Sequence, residues 1–179
     1  MNAPPPEEPA ASLCVGCGLC CDGTFLDRGH VMPDQETEPL SFYKNEFFSA
    51  EDKLWFRLPC PHYDGRCCPI YDSRFAVCRT YRCKLLKLYE SGAVPLADAR
   101  ETISTAKSLV AEVTAYDPEA RTRMPRLVRR AELEQAIASN QGDRPKLAKR
   151  LLNMVALDQF LFRHFHEPTR KPEAPDAAE

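Results

Sequence analysis

Apolar side chains recur at helical spacing through the second half of the chain. After Gly92 they follow one another at intervals of three and four residues, which is the period of one helix face. The first stripe consists of Ala99, Ile103, Ala106, Val110 and Val113. The strongest stripe consists of Leu147, Leu151, Met154, Val155, Leu161, Phe162 and Phe165. Shorter helices are predicted at 81–90 and 127–138, and we expect the helices to pack as hairpins against the N-terminal half.

Local signals predict where these helices begin and end. Asp98 and Glu101 have the spacing of a capping box. Pro118, directly after an aspartate, is typical of a helix start. Pro125 is expected to end that helix before the next one begins, because proline lacks the amide hydrogen that a helix interior needs.

The N-terminal half has shorter and weaker patterns. Aromatic residues between positions 41 and 52 have roughly helical spacing and predict a short amphipathic helix. The segments 54–60 and 66–71 flank Asp64-Gly65, a dipeptide suited to a tight turn, and predict a short β-hairpin. The predicted fold is therefore mostly α, with a small irregular cysteine-rich metal-binding region that contains a short β-hairpin and with C-terminal helices packed against it.

Composition divides the chain into one site-bearing region and one helical region. All nine cysteines lie between positions 14 and 83, and the two ends are rich in proline, alanine and acidic residues. We predict a disordered tail at 1–12, the cysteine-cluster metal-binding region at 13–90, a helical region at 91–166 and a second disordered tail at 167–179. The N-terminus shows no basic and then apolar segment, so the protein is expected to be cytoplasmic, with no membrane association.

The densest chemistry is Cys14-Val-Gly-Cys17-Gly-Leu-Cys20-Cys21, with four thiols in eight residues. Two residues between cysteines let both sulfurs face the same side of a tight loop, and Gly16 and Gly18 are able to adopt the positive φ that such a loop often requires. In a reducing compartment nine cysteines indicate metal ligands rather than disulfides. Cys67 and Cys68 would point to opposite faces of a strand, so only one of them is expected to reach a shared centre.

The spacing leaves the metal open. Cys14-x2-Cys17-x2-Cys20 with a remote Cys-Pro is shared with bacterial iron–sulfur loops. Zinc accepts almost any four cysteines in a tetrahedral arrangement, and eight thiolates make either one centre or two. His62 is an alternative ligand, although a surface-turn histidine is the more common case.

Charge supports a thiolate centre in this region. Residues 57–87 carry seven arginines or lysines against two acids, which favours ionised cysteine. Cys83 is expected at a helix N-terminus, which lowers the pKa of a thiol. Elsewhere, residues 22–52 have a local charge of −6 and residues 119–150 one of +5. Solvated faces are the simpler interpretation, and a protein partner on the basic helical segment 121–150 is the alternative; nucleic acid is not expected.

The order and spacing of the cysteines along the chain resemble those of the YkgJ-type cysteine-cluster family, which is described as zinc- or iron-chelating. Its pattern of Cys-x2-Cys-x2-Cys-Cys, a lone Cys, Gly-x-Cys-x-Ile-Tyr, Arg-Pro, Cys-Arg and a last Cys spans about residues 14–83 here. The matching positions are Cys14, Cys17, Cys20, Cys21, Cys60, Gly65, Cys68, Ile70, Tyr71, Arg74, Cys78, Arg79 and Cys83. Phe75 departs from the usual proline, and Cys67 is additional. The family includes the much larger flagellin lysine methylases, whose activity does not transfer with the motif.

The resemblance implies that the eight matching cysteines are metal ligands and that Arg74 and Arg79 compensate their charge. The leading hypothesis is a non-catalytic module that binds an iron–sulfur cluster or Zn²⁺, in one centre or two. One alternative is an iron–sulfur enzyme or electron-transfer component, such as a methyltransferase-like activity. Another is a metal-dependent regulator that binds nucleic acid or an acidic partner, and it ranks lowest. We identify no catalytic triad, phosphate loop or paired catalytic carboxylates, so no catalytic residue is assigned.

Overall fold

A computed structural model describes residues 10–167 of the chain. The predicted tails lie outside these residues, except for 10–12 and residue 167. The first helix, α1, spans Ala10–Cys17 and so takes in the last three residues of the predicted N-terminal tail. Helices, including three short 3₁₀ helices, make up 54% of the described residues, which confirms the mostly α class.

The helical stripes predicted from the sequence form long helices. The helices after α1 are α2 (Ala76–Thr80), α3 (Lys84–Glu90), α4 (Leu96–Thr114), α5 (Arg123–Ala138) and α6 (Arg144–His164). All five apolar residues of the first stripe are buried on one face of α4. Both α4 and α5 pack on α6, so the three longest helices form one layered unit. No helix in the range 10–167 is both long enough and apolar enough to cross a membrane.

Two of the predicted helix ends are wrong. α4 begins at Leu96 after Pro95, so Asp98 lies within the first turn and does not cap the helix. Pro125 does not end a helix; it is the third residue of α5. The first turn of a helix has no intrahelical acceptor for its amide hydrogens, so a proline there removes no hydrogen bond.

The sheet is small and uses other residues than predicted. Its strands are β1 (Arg28–His30), β2 (Phe47–Ala50) and β3 (Lys53–Arg57), paired antiparallel in the order β1-β3-β2. β2 and β3 form the hairpin around Glu51 and Asp52, which both have positive φ, as a two-residue type I′ turn requires. A hairpin is therefore confirmed, and residues 54–57 of the first predicted arm lie on its strand β3. The second arm at 66–71 and the helix predicted at 41–52 are wrong, because the partner of β3 in the hairpin is β2.

Two local signals in the sequence favour the wrong positions for the hairpin and the helix. Gly65 does have positive φ, but the carboxylate of Asp64 accepts the amides of Arg66 and Cys67 in a local side-chain turn. The aromatic residues of 41–52 look helical in spacing, yet Phe47 and Phe48 lie on β2 opposite Phe56 and Trp55. Cross-strand aromatic packing against β3, rather than local periodicity, therefore determines that residues 47–50 form a strand.

Two apolar clusters hold the molecule together. The larger has seventeen buried residues and joins α3, α4 and α6 to Leu13, Leu19 and Phe25 beside the first cysteines. The smaller has four buried residues, and at its centre Phe75 stacks between Tyr43 and Phe56 at ring distances of 3.8 and 4.1 Å. The aromatic ring of Phe75 thus fills a core position, which explains a residue other than proline there. The C-terminal helices pack against the cysteine region as predicted.

The two unevenly charged stretches of the sequence partly neutralise each other. Arg121 pairs with Asp22, and Arg123 pairs with Asp27, each at 3.2 Å. Arg126 is 1% exposed; it bonds Asp158 at 2.8 Å and donates to the carbonyl of Thr24 at 2.9 Å. These contacts tie α5 to the loop that follows the first four cysteines. A protein partner for the segment 121–150 stays a prediction.

Candidate metal centre

The first four cysteines surround the end of α1. Cys14 and Cys17 lie on the helix itself, so the tight loop expected between them is a helical turn. Gly18 follows with φ +74°, and a Cβ there would lie 2.0 Å from the hydroxyl of Tyr63. Of the two glycines expected to need positive φ, only Gly18 does, since Gly16 is helical. Gly18 reverses the chain so that Cys20 and Cys21 return toward the helix end.

The remaining cysteines come from four separate places. The backbone amide of Cys60, which follows β3, donates to the carbonyl of Cys21 at 2.7 Å. Cys68 lies in the irregular segment before α2, and Cys78 lies on α2. Cys83 caps the N-terminus of α3, as predicted, and its sulfur accepts the amide of Leu86 at 3.5 Å. Segments far apart in sequence therefore present thiols to one region.

Two cavities gather these thiols. A small cavity of about 50 Å³ lies between α1, α3 and α4, and a larger one of about 300 Å³ lies between the first cysteines, the sheet and α2. The small cavity is lined by Cys14, Cys17, Cys20, Cys21 and Cys83. The large cavity is lined by Cys14, Cys20, Cys21, Cys60, Cys68 and Cys78. Every predicted ligand cysteine lines at least one of the two.

Cys67 and His62 line neither cavity. Cys67 is exposed, and its thiol donates to the carboxylate of Asp64 at 3.4 Å. The Nε2 atom of His62 accepts the backbone amide of Lys44 at 3.0 Å, which occupies one of its two ring nitrogens. The neighbouring cysteines 67 and 68 thus face different surroundings.

Burial controls the ionisation of these thiols. It raises the pKa of Cys17, Cys21 and Cys78 to about 12, and neighbouring cysteines add to the effect on Cys21 and Cys78. The pKa of Cys20 is raised still further, again by burial first. The expected lowering at the N-terminus of α3 is wrong in sum: burial raises the pKa of Cys83 and outweighs the amide of Leu86, which lowers it. Without a metal, these cysteines are neutral at pH 7.

Nearby donors oppose that burial and favour the thiolate. Backbone amides lower the pKa of Cys17 and Cys68, from Leu19 and Ile70 respectively, although burial dominates in both cases. Hydrogen bonds to sulfur stabilise the charged form, so these amides suit a thiolate that a cation has created.

The two predicted arginines occupy different places. Arg74 lines the large cavity, stacks on Tyr71 at 3.6 Å and lowers the pKa of Cys68 and Cys78 against the larger effect of burial. Its Nε atom is buried without a hydrogen-bond partner among residues 13–167. Arg79 instead donates to the carbonyls of Gln35 and Arg74, and so holds the backbone of Arg74 in place.

The structure adds side chains that the sequence did not single out. Asn45 Nδ2 lies 3.8 Å from Cys60 Sγ. Lys107, on α4, donates to the carbonyl of Gly16 at 2.8 Å beside Cys17. Arg82 lowers the pKa of Cys14, and Tyr81 lines both cavities. Arg82 and Tyr81 are adjacent to Cys83, a signal that was present in the sequence, whereas nothing local connects Asn45 or Lys107 to the cysteines.

The donor set fits a metal that prefers sulfur. Thiolates select zinc, copper(I) or iron–sulfur clusters over the hard cations that prefer oxygen. Within the part of the chain that the structure describes, however, no three Cys, His, Asp or Glu side chains converge closely enough to hold a metal ion.

Comparison with known proteins identifies the family of this chain. The model of the CxxCxxCC family, described as a putative zinc- or iron-chelating domain, matches residues 13–107, more than half of the chain. The match includes all nine cysteines and extends through α3 to Lys107 on α4. Neither the curated proteins nor the solved structures include a match to this chain.

Proposed function

Because the chain belongs to the CxxCxxCC family, we propose that it is a non-catalytic metal-binding module whose cysteines hold zinc or an iron–sulfur centre. The proposed ligands are Cys14, Cys17, Cys20, Cys21, Cys60, Cys68, Cys78 and Cys83. Bound metal would supply the positive charge that lets these buried thiols ionise.

One observation carries the proposal. The eight proposed ligands line two adjoining cavities, although they are spread over residues 14–83, while the ninth cysteine lies outside both. Cys67 and Cys68 are adjacent in sequence, so proximity along the chain does not explain why only Cys68 lines a cavity. A shared ligand role for the eight cysteines explains the sorting.

The surrounding residues favour a negatively charged centre. Arg74 brings a guanidinium to the wall of the large cavity, and Lys107 brings an ammonium to the end of α1. Amide donors to Cys17, Cys68 and Cys83 stabilise thiolates in place. These groups hold and orient the ligand cysteines. That role requires no catalytic residue among the described residues.

The first test is an absorption spectrum with elemental analysis of protein purified without oxygen. Broad visible absorption with iron and acid-labile sulfide in equal amounts identifies a cluster, whereas a colourless zinc protein identifies a structural centre. Cys67→Ser is the matched control, because it alters a cysteine next to a proposed ligand. We expect Cys67→Ser to keep its metal and a variant with both Cys17→Ser and Cys68→Ser to lose most of it. Unchanged metal content in that double variant would overturn the proposal.

A second candidate is an iron–sulfur enzyme or electron-transfer component, and the composition of the large cavity favours it. Beside the cysteines, that cavity is lined by His30, Trp55, Phe56, Tyr71 and Arg74. Aromatic walls with a cation are typical of sites that receive an organic ligand. A reversible redox change of the metal-loaded protein, or saturable binding of S-adenosylmethionine, would support this candidate. A redox-inert zinc protein that does not bind S-adenosylmethionine would eliminate this candidate.

A further inference from the structure

The two cavities divide the thiols unequally. Cys17 and Cys83 line only the small cavity. Three thiols line only the large cavity: Cys60, Cys68 and Cys78. The other three line both: Cys14, Cys20 and Cys21. A division of the eight thiols therefore depends on where the shared ones belong.

Coordination chemistry constrains that division. A tetrahedral sulfur site takes four thiolates, and a cubane iron–sulfur cluster also takes four. The small cavity then requires two of the shared cysteines, and the large cavity requires one. A single centre would instead leave half of the buried thiols without a cation.

Backbone contacts assign the shared cysteines. The carbonyl of Cys21 accepts the amide of Cys60 at 2.7 Å, which ties Cys21 to the large-cavity group. Its thiol interacts electrostatically with Cys14 first and then with Cys60 and Cys68, so the backbone contact to Cys60 decides its group. Cys20 interacts most strongly with Cys17 and Cys83 among its neighbours. Cys14 shares α1 with Cys17, one helical turn earlier, and so joins the small-cavity group.

Each group has a cation beside it, although Arg74 at the large cavity also interacts with Cys14. Lys107 Nζ bonds the carbonyl of Gly16, directly before Cys17 of the small-cavity group. Arg74 lines the large cavity with Cys68 and Cys78 and does not line the small one. Two separate anionic centres each require such compensation, because four thiolates around a divalent ion leave a net negative charge.

On the basis of the proposed function, we infer that the chain holds two separate centres with four thiolates each. The first consists of Cys14, Cys17, Cys20 and Cys83. The second consists of Cys21, Cys60, Cys68 and Cys78. Adjacent cysteines 20 and 21 therefore belong to different centres, and α3 completes the first while α2 completes the second.

Paired substitutions in the full chain test this division by metal content, measured by native mass spectrometry and elemental analysis. Cys17→Ser with Cys83→Ser removes ligands of the first centre only, and Cys68→Ser with Cys78→Ser removes ligands of the second only. We expect each pair to lose half of the wild-type metal. Cys17→Ser with Cys78→Ser removes one ligand from each centre and is expected to lose nearly all of it. Cys67→Ser should match the wild type.

The division is wrong if a pair within one centre abolishes all binding, or if the pair across centres retains as much metal as the others. Wild-type protein that binds no metal would instead overturn the proposed function itself, so the two failures are distinguishable.

A second measurement avoids substitutions that prevent folding. Metal-loaded wild-type protein is treated with limiting chelator and an alkylating reagent, and modification of each cysteine is followed by mass spectrometry. We expect cysteines of the same group to become reactive at the same time. Cys20 should react together with Cys17, and Cys21 should react together with Cys60. Simultaneous reaction of all eight, or reaction of Cys20 together with Cys21, would overturn the division.

Discussion

The segment 28–83, which carries five of the nine cysteines, and the helices α4 to α6 are stabilised by different means. The helices contribute to a cluster of seventeen buried apolar residues, whereas the segment 28–83 surrounds a cluster of four. The helical part also has regular backbone hydrogen bonding, while the cysteine part has one small sheet and many turns. A small apolar core supplies little net stability, so the segment 28–83 depends on additional cross-links.

The contrast shows where each part takes its order from. α4, α5 and α6 bury continuous apolar faces against each other, so packing alone specifies them. Near the cysteines, thiols from separate segments line two cavities whose walls also carry apolar side chains such as Leu19, Ile103 and Phe56. Metal binding is therefore expected to complete the fold of one part and to leave the other largely unaffected.

Removal of the metal is expected to have the largest effect. A structural zinc site contributes about 10–16 kcal/mol in small peptides, which is comparable with the ~5–15 kcal/mol stability of a whole domain. After chelation, hydrogen exchange should show loss of protection across 28–83, while α4 to α6 stay protected. Equal protection of both parts after complete metal removal would contradict the comparison.

Acid pH should release the metal and should leave the helices α4 to α6 folded. Burial raises the pKa of Cys17, Cys21 and Cys78 to about 12, so the metal-free folded protein keeps these protons well above neutral pH. The metal-free state then binds more protons than the loaded state, and affinity falls as pH falls, by about tenfold per pH unit for each proton displaced.

Calorimetric titration of metal-free protein with Zn²⁺ at pH 7.5, in buffers of different ionisation enthalpy, measures those protons. We expect about four protons released per zinc ion, as four thiols per tetrahedral site require. Release of one proton or fewer would show that the buried thiols are not the ligands.

Phe75→Ala should destabilise the smaller cluster. Its ring is 2% exposed and stacks on both Tyr43 and Phe56, so truncation is expected to cost about 3–5 kcal/mol. Phe162→Ala is the matched control, because that ring is 62% exposed, and it should change stability by about 0.5 kcal/mol or less. Urea unfolding of the metal-loaded variants compares the two. Equal effects would mean that Phe75 does not support this core.

Arg126→Met should loosen the connection between α5 and the loop that follows the first four cysteines. Arg126 is buried and bonds the carbonyls of Thr24 and Ala120, which would lose this donor. Arg130 still pairs with Asp158 at 2.7 Å, so we expect a loss of about 3 kcal/mol, at the low end for a broken buried pair.

Arg121→Met is the control for that variant. Its pair with Asp22 is half exposed on the arginine side, and such surface pairs contribute about 1 kcal/mol or less. Thermal unfolding of the loaded protein measures both variants, and a smaller effect for Arg126→Met than for Arg121→Met would contradict the burial argument.

The sequence predicted some elements well for a clear physical reason. Ala99, Ile103 and Val110 have the helical period, and each is buried on α4, because a long periodic stripe has one way to hide its apolar face. Cys83 was expected at a helix start and caps α3. The aromatic residues of 41–52 were wrongly expected on a helix, because their partners Trp55 and Phe56 lie on another strand, outside the window that local periodicity reads.

The sequence by itself determined the eight-cysteine pattern, the family and the order of the helices, since these depend on residue type and on spacing along the chain. Tertiary structure decided which thiols line which cavity and that Cys67 is excluded from both. It also placed Lys107 and Asn45 beside the cysteines. Such arrangements depend on contacts between residues far apart in the chain, and no local pattern encodes which distant side chain a turn will face.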